Sequence, residues 1–585
     1  MDKSGGNDGN GPRNSTNDFG DLSERMAKLW WRDIDQEAPG RMGLEENSPF
    51  KLGNNGHGNN NHDEGIWVTK AKYLASVSLH STLNKIWAKE LFEMDSRERE
   101  DINNEIHGVQ SSRTIQETPD IIADGIRLLR KYIDESIKFN LDSGENMVTP
   151  VAREAYERVL ASELEEGGDK VPYFHTQKLL IKFLRASYFD VEKAAERYFR
   201  WFDMMYDLFG DIGLKRPLMM SDLTAREKRY LKKGQMQLLP CRDRVGRRIF
   251  TFMGREDLSF TVPEKYRVCM YLFDVCSEDE TTQKLGVVWI NQPILDSGEK
   301  PFGDEGMVLR PKKYEGLGGR TEQEHYRAFV DAKPLRTSGL HVIGADTLLY
   351  KMGKALLLLM MGKCDRKIVR FHNGSQLECL YRLRSFGIPS DELPIKDDGQ
   401  IKNKKVAKFI AARKSIEAFL QQQHKQGEDS AGMSIGTECP EVDCIMFGSR
   451  ALCNSANLEF RNILKVMERD REEKVARCES SLSVKEFIGE IIRMVKHHNL
   501  RFVAINKEMS LFVEIEDGKE LHTAVSQALR DQRKRMRLER RIQEQPKHDE
   551  RTLFSSIDFG SGASGSIIGF DAAKRHKAST EGCCS

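Results

Sequence analysis

Between residues 339 and 372 the chain runs from a short apolar stretch (339–344) through a long segment with a strongly apolar middle (345–361) into a second short stretch (367–372). The pattern predicts strand, helix, strand. Two strands joined by a helix lie parallel in one sheet and are connected by a right-handed crossover. The middle of the chain is therefore expected to be α/β. Immediately downstream, Ser375-Gln-Leu-Glu378 has the form of a capping box, with a hydroxyl and a carboxylate placed to satisfy the first free N–H groups of a helix. Leu377, Leu380, Tyr381 and Leu383 are expected to form that helix's buried stripe, and Gly387 with Pro389 to end it.

Reading outward from this unit, Asp243-Arg-Val-Gly246 is a turn leading into a strand at 249–252, and Val287-Val-Trp-Ile290 resembles a strand buried on both faces. Residues 296–333 are charged and Gly-rich, and long for a connection. They are either a functional flap or a surface insertion. Upstream, apolar residues recur at three- and four-residue steps in 71–91 (Leu79, Leu83, Ile86, Trp87, Leu91), in 121–137, and across 178–209, where Tyr198, Trp201, Phe202 and Met205 suggest a tight helical pair.

At 585 residues the chain exceeds one ordinary core, and the expected division follows composition. Residues 1–65, rich in Gly, Asn, Asp and Ser, read as a disordered arm that carries one sticky segment at 26–31. A helical prefix covers 66–225, an α/β domain 226–424, a linker 425–438, a small α+β domain 439–530, and a basic then Gly/Ser-rich tail 531–585. In the small domain, 457–467, 483–496 and 519–530 read as helices and 500–504 and 511–515 as paired strands.

The 91 Lys and Arg nearly balance the 90 Asp and Glu, so no global field selects a polyanion, and electrostatic targeting has to be local. The 11 cysteines include no C-x-x-C pair, which fits reduced cytosolic thiols and argues against structural zinc. The most apolar run, 355–361, is far shorter than the roughly 20 residues of a spanning helix. No Walker loop, nucleophile elbow, H-E-x-x-H or G-x-G-x-x-G occurs, which argues against the common enzyme classes. A cytoplasmic protein with no cofactor, no metal and no catalytic residue is expected.

Three segments in order, Phe183-Leu-Arg-Ala186 with Phe189-Asp-Val-Glu192, Leu239-Pro-Cys-Arg-Asp243-Arg-Val-Gly-Arg247, and Phe371-His372-Asn-Gly-Ser375 with Phe386-Gly-Ile-Pro389, are similar to those of a CRAL-TRIO (Sec-fourteen-like) lipid-binding protein of the algal type. The resemblance covers about 171–420. It implies a helical prefix leading into a mixed sheet flanked by helices, with a lipid cavity closed by a mobile helix, transient contact with an anionic membrane surface, and a lipid or other small hydrophobic ligand as partner. Burial of such a ligand gains roughly 0.8 kcal/mol per methylene without any catalytic group.

Val287 and Trp289 on the strand and Leu356, Leu357, Leu359 and Met360 on the crossover helix are the candidates for the cavity lining. The alternative is that they pack as ordinary core. Lys363, Arg366, Lys367 and Arg370 are candidates for contact with a phosphate head group or an anionic bilayer, the alternative being a solvated charged loop. His341 and His372 are expected to make structural hydrogen bonds. The chain departs from the family where Ile290-Asn-Gln-Pro293 lacks the usual aspartate and Asp391-Glu-Leu-Pro394 lacks the following glycines, so head-group specificity does not carry over. The C-terminal segment, with Asp443-Cys-Ile-Met-Phe-Gly448, Asn454-Ser-Ala-Asn457 and Val525-Ser-Gln-Ala-Leu529, resembles an algal domain of unknown function. It reads as a protein-interaction module, and nucleic acid is not the expected partner because aromatic interleaving is lacking. A scaffold or regulator built on a degenerate lipid fold is the competing functional reading.

Overall fold

The computed structural model describes residues 81–109, 115–138, 150–165, 171–254, 259–293, 322–344, 350–351, 354–355, 357–358, 361–396, 400–426, 435–447, 454–479, 482–516 and 518–544. The segment 26–31, Leu79, Leu356, Leu359, Met360, residues 296–321 and the tail beyond 544 lie outside the described residues.

The central sheet has five strands in chain order, β1 (Met236–Arg242), β2 (Arg248–Gly254), β3 (Val287–Pro293), β4 (Thr337–Gly344) and β5 (Val369–Asn373). β1 and β2 are antiparallel and every later pair is parallel. The fold is thus mixed α/β, and its parallel βαβ unit is where the sequence places it. Because each new strand is added on the same side of the last, right-handed crossovers direct the connecting helices to one face. On that face α8 (Val262–Cys276) buries Val268, Leu272 and Phe273 against Phe250 and Val287, while Tyr350, Leu358 and Met361 of the crossover region cover Leu340, Val342 and Val369. The alternate residues Leu239, Ile249, Val288, Ile290 and Ile343 point to the opposite face, beneath Cys379 and Leu383 of α12 (Gln376–Ser385). Gly344 is required by this packing, since a Cβ there would lie 2.0 Å from the Tyr350 ring.

The helical prefix consists of α1 (81–92), α2 (Ser96–Ile106), α3 (Pro119–Lys138), α4 (Pro150–Glu165), α5 (Gln177–Ala186) and α6 (Val191–Phe209), and α7 (Ala225–Lys233) leads into β1; α9 (Glu280–Leu285) precedes β3, and α13 (Lys404–Gln426) follows α12. The aromatic pattern read at 198–205 has a clear cause. Tyr198, Trp201 and Phe202 of α6 meet Phe183 and Phe174 in edge-on contacts, with ring centroids 5.5–5.8 Å apart. α5 and α6 are joined by Tyr188 and Phe189, both at positive φ, and Asp190 caps α6 by accepting from the Lys193 N–H.

A second sheet places β6 (Cys444–Phe447) parallel to β7 (Arg501–Asn506) and β7 antiparallel to β8 (Leu511–Glu514). α14 (Ser455–Ala476) and α15 (Val484–His497) connect β6 to β7, and α16 (Lys519–Glu544) follows β8.

Several expectations are corrected. β1 is a strand that sequence reading did not identify. It contains Pro240, which cannot donate to a ladder and is tolerated because β1 lies at the sheet edge. β6 was likewise not anticipated. Within 296–333, residues Glu322–Ala332 form α10, whose Phe329 and Ala332 are buried, so this portion belongs to the core and is not a surface insertion. Lys367 lies not in a strand but in a further short helix, α11 (Lys363–Ile368), ahead of β5. α16 does not end at Arg530. It continues because Met536 is buried and Arg533 and Arg540 pair with Glu468 and Glu472 of α14.

The capping box of α12 is present, with the Ser375 hydroxyl accepting from the Glu378 N–H and the Glu378 carboxylate accepting from the Ser375 N–H. Its buried stripe, however, is Cys379, Leu380 and Leu383, whereas Leu377 and Tyr381 are 65% and 62% exposed. Leu383→Ala should therefore destabilise the protein by about 2–5 kcal/mol, and Leu377→Ala should change stability by no more than about 0.5 kcal/mol. Denaturant midpoints of the two variants, measured side by side, check this.

Candidate functional site

The sheet's crossing face is incompletely covered at its centre. β3 is the middle strand, and its Val287, Val288 and Ile290 are fully buried, yet Trp289 between them remains partly exposed. Its ring packs on Phe250, Phe273 and Phe329, with centroids at 4.7, 5.6 and 6.3 Å. These four rings form one apolar cluster. Tyr326 of α10, Leu357 of the crossover helix and Phe371 of β5, also partly exposed, pack against the Leu340, Val342 and Val369 cluster that Trp289 joins. One strand position pair beyond Trp289 on the same face, the Asn291 Oδ1 is buried with no hydrogen-bond partner, as is the Asn373 Oδ1 on β5. The region thus sets aromatic and aliphatic side chains beside unpartnered carboxamide oxygens toward the carboxyl ends of the strands, a composition shared by small-molecule sites.

Of the lining candidates, Trp289 and Leu357 are brought together here, both partly exposed, whereas Val287 is enclosed in the core with α8. Leu356, Leu359 and Met360 lie outside the described residues.

The four basic candidates are not brought together as one patch. Arg366 is buried and makes a bidentate pair with Glu90 of α1, both contacts at 2.7 Å, while the Trp87 Nε1 donates to its carbonyl at 2.8 Å. Lys367 pairs with Glu98 of α2. These two charges fasten the helical prefix to α11. Arg370 donates to the carbonyls of Lys367 and Val369, and burial lowers its pKa. Lys363 is exposed.

The histidine pair lies on the opposite face, in the register that sets His341 beside Arg370 and Ile343 beside His372. His341 and His372 stack with centroids 5.2 Å apart, and the His341 Nδ1 and His372 Nε2 share a hydrogen bond of 3.0 Å. Phe386 meets both rings edge-on and stacks on His107. Burial pushes the His372 pKa down to about 4 and that of His341 well below the usual imidazole range, and Arg370 adds to both shifts. His107 is lowered by burial, then by Arg370 and Arg244. Both stacked rings are therefore neutral at physiological pH and serve as packing and hydrogen-bonding groups.

Sequence reading missed three members of this region, Tyr326, Asn291 and Lys354. Lys354 was detectable in principle, because it falls four residues after Tyr350 and four before Leu358 in the sheet-facing stripe. Among the described residues no group of His, Cys, Asp or Glu is arranged to hold a metal ion, and no helix is long and apolar enough to cross a membrane. Two surface grooves elsewhere, one along α3 (Ile126, Arg130, Asp134) and one between α15 and α16 (Lys485, Lys519, His522, Arg530), include none of the lining candidates. No protein-family model matches the chain, and no curated protein matches it.

Two measurements test this description. Glu90→Ala leaves Arg366 buried without its counter-charge and should cost about 3–5 kcal/mol, whereas the double variant Glu90→Leu with Arg366→Met should recover much of the loss; thermal unfolding distinguishes the two. His372 has a folded pKa below its unfolded value, so its contribution is present above pH 6.5 and is lost as pH falls toward 4, on the order of 3 kcal/mol. Stability measured across that window should fall in the parent protein and fall less steeply in His372→Gln.

Proposed function

We propose that the chain is a non-enzymatic lipid-binding protein of the CRAL-TRIO type, which shelters a hydrophobic ligand in the recess over Trp289 and transfers or presents it at a membrane surface. The observation that carries this reading is the partly exposed Trp289 on the central strand of a five-stranded sheet, flanked by fully buried neighbours. A ring in that position is ordinarily well covered, and leaving part of it exposed forfeits at most about 2 kcal/mol of burial that a ligand can restore. The order of the three sequence segments and the mixed sheet flanked by helices support the same reading, and so does the mixture of apolar wall and unmet Asn291 carboxamide.

The proposed role requires no proton transfer and no nucleophile. Affinity comes from removing an acyl or isoprenoid chain from water, and orientation comes from polar groups at the carboxyl ends of the strands. Cytoplasmic residence with transient membrane contact belongs to the same proposal. The competing reading, a scaffold or regulator acting through its C-terminal domain, draws on the groove between α15 and α16, where Lys485, Lys519, His522 and Arg530 converge. Acidic peptide would suit that groove, and binding of a poly-Glu peptide that weakens with salt would favour this reading.

Native mass spectrometry of the intact protein before and after mild lipid extraction is the deciding test, with one stoichiometric lipid expected per chain. Leu357→Trp should reduce lipid uptake at least severalfold while leaving the circular dichroism spectrum unchanged. Uptake equal to that of the parent would remove the crossover helix from the binding site.

A further inference from the structure

Lys354 stands in an unusual place for a lysine. The residues one helical turn to either side, Tyr350 and Leu358, are buried against the sheet, and the 3.6-residue period puts Lys354 on the same side of the helix. Its Nζ lies 5.0 Å from the Trp87 ring centroid and 4.8 Å from that of Phe371, two rings that meet edge-on at 5.6 Å. No carboxylate of the described residues forms an ion pair with it, and burial alone lowers its pKa. The two aromatic faces partly compensate the charge. Among the described residues the three N–H donors of the ammonium have no anionic acceptor.

Phe371, beneath this ammonium, faces the same side of the sheet as Trp289, Val342 and Asn291, because Val342 is paired with both Asn291 and Phe371. β5 and β3 are about 10 Å apart across the sheet. Two residues along β5, on that same side, Asn373 holds its unpartnered Oδ1. A carboxamide turned about its last bond offers NH2 in place of oxygen, so Asn373 can donate to an anion placed near Lys354. By contrast Arg366 and Lys367, two of the cations expected to meet a head group, are committed to Glu90 and Glu98.

We infer that Lys354, held over Trp87 and Phe371, is the counter-charge for an anionic head group, a carboxylate or a phosphate monoester, on the amphiphile whose apolar part occupies the recess over Trp289. The inference rests on the apolar-ligand reading above and adds to it the chemical class of the ligand. A neutral lipid would leave the ammonium as it is, whereas a single anion supplies charge-assisted hydrogen bonds where the site has none. The Lys354 side chain is then the discriminating group, and the recess supplies affinity common to all chains of the same length.

The test is calorimetric titration of the full-length protein, freed of endogenous lipid, with laurate, dodecyl phosphate and dodecanol below their aggregation limits, repeated on Lys354→Met and Lys354→Arg. The expected result is tighter binding of laurate or dodecyl phosphate than of dodecanol. In Lys354→Met the favoured anion should lose roughly tenfold or more in affinity, dodecanol should be unchanged, and Lys354→Arg should retain most of the anion preference. Whichever anion is favoured identifies the source as a fatty acid or a phosphate monoester. If dodecanol binds the parent as tightly as either anion, or if Lys354→Met binds the anions as the parent does, the head-group inference is overturned and the apolar recess stands. If none of the three binds the parent, both the inference and the recess reading fail.

Discussion

Strand order governs this architecture. Five strands are added in one direction, four of them parallel, and the right-handed crossover leaves the intervening helices one face on which to lie. The two faces consequently have different tasks. The opposite face is closed by α12 and the segment after it, with Leu383, Ile388 and Leu393 packed onto Ile249, Val288 and Ile290. On the crossing face the helices come from three separate connections and must cover the sheet piecewise. Trp289 of the central strand lies where α8, α10 and the crossover region meet, and it stays partly exposed between fully buried neighbours.

Arginine pairs hold the helical prefix against this sheet. Arg247 binds Asp243 within the β1–β2 turn and reaches the carbonyls of Glu105 and Ile106 at the end of α2. Arg336 pairs with Glu105 while donating to the Lys284 carbonyl, and Arg185 makes a two-pronged contact with Glu117 and meets Gln283. The planar guanidinium suits such multiple, oriented contacts better than an ammonium does. A buried pair adds little net stability over an apolar substitute, but removing one partner is costly. These contacts therefore specify which surfaces meet. Several residues of the three ordered sequence segments, among them Arg185, Asp190, Asp243, Arg247 and Ser375, are caps and staples of this kind.

The C-terminal sheet is joined to the central one through a short stretch rich in contacts. Arg242 of β1 donates to the carbonyls of Cys439 and Pro440 and pairs with Asp279 and Glu441, while Arg248 pairs with Glu438. Thr437 forms a bridge to Phe512 of β8, and Asp443 pairs with Arg501 of β7. The segment 437–443 is thus bonded on both sides, which a polar linker composition does not disclose. The carboxylates contribute unequally. The Arg242 guanidinium helps hold Asp279 down at about 2, against the opposing effect of burial, while burial raises Glu441 to about 7.

Local pattern alone was enough for the parallel βαβ unit, the capping box at Ser375, the α5–α6 pair and the paired strands β7 and β8, because periodicity, capping and turn chemistry act over a few residues. It was not enough for β1, whose proline argues against a strand until its edge position is known, nor for the length of α16, which depends on acids in α14 more than sixty residues away. Nor could it choose the buried side of α12, where Leu377 and Tyr381 match an apolar stripe as well as Cys379 does. The site divides in the same way. Trp289 and Leu357 were visible as apolar residues on a strand and a helix, but burial of one neighbour and exposure of another arises only when separate connections meet over the sheet. Charge behaves likewise: Lys354 and Arg366 are equally basic in sequence, and only the folded chain gives Arg366 the Glu90 carboxylate while setting Lys354 over two aromatic rings, with no carboxylate partner among the described residues.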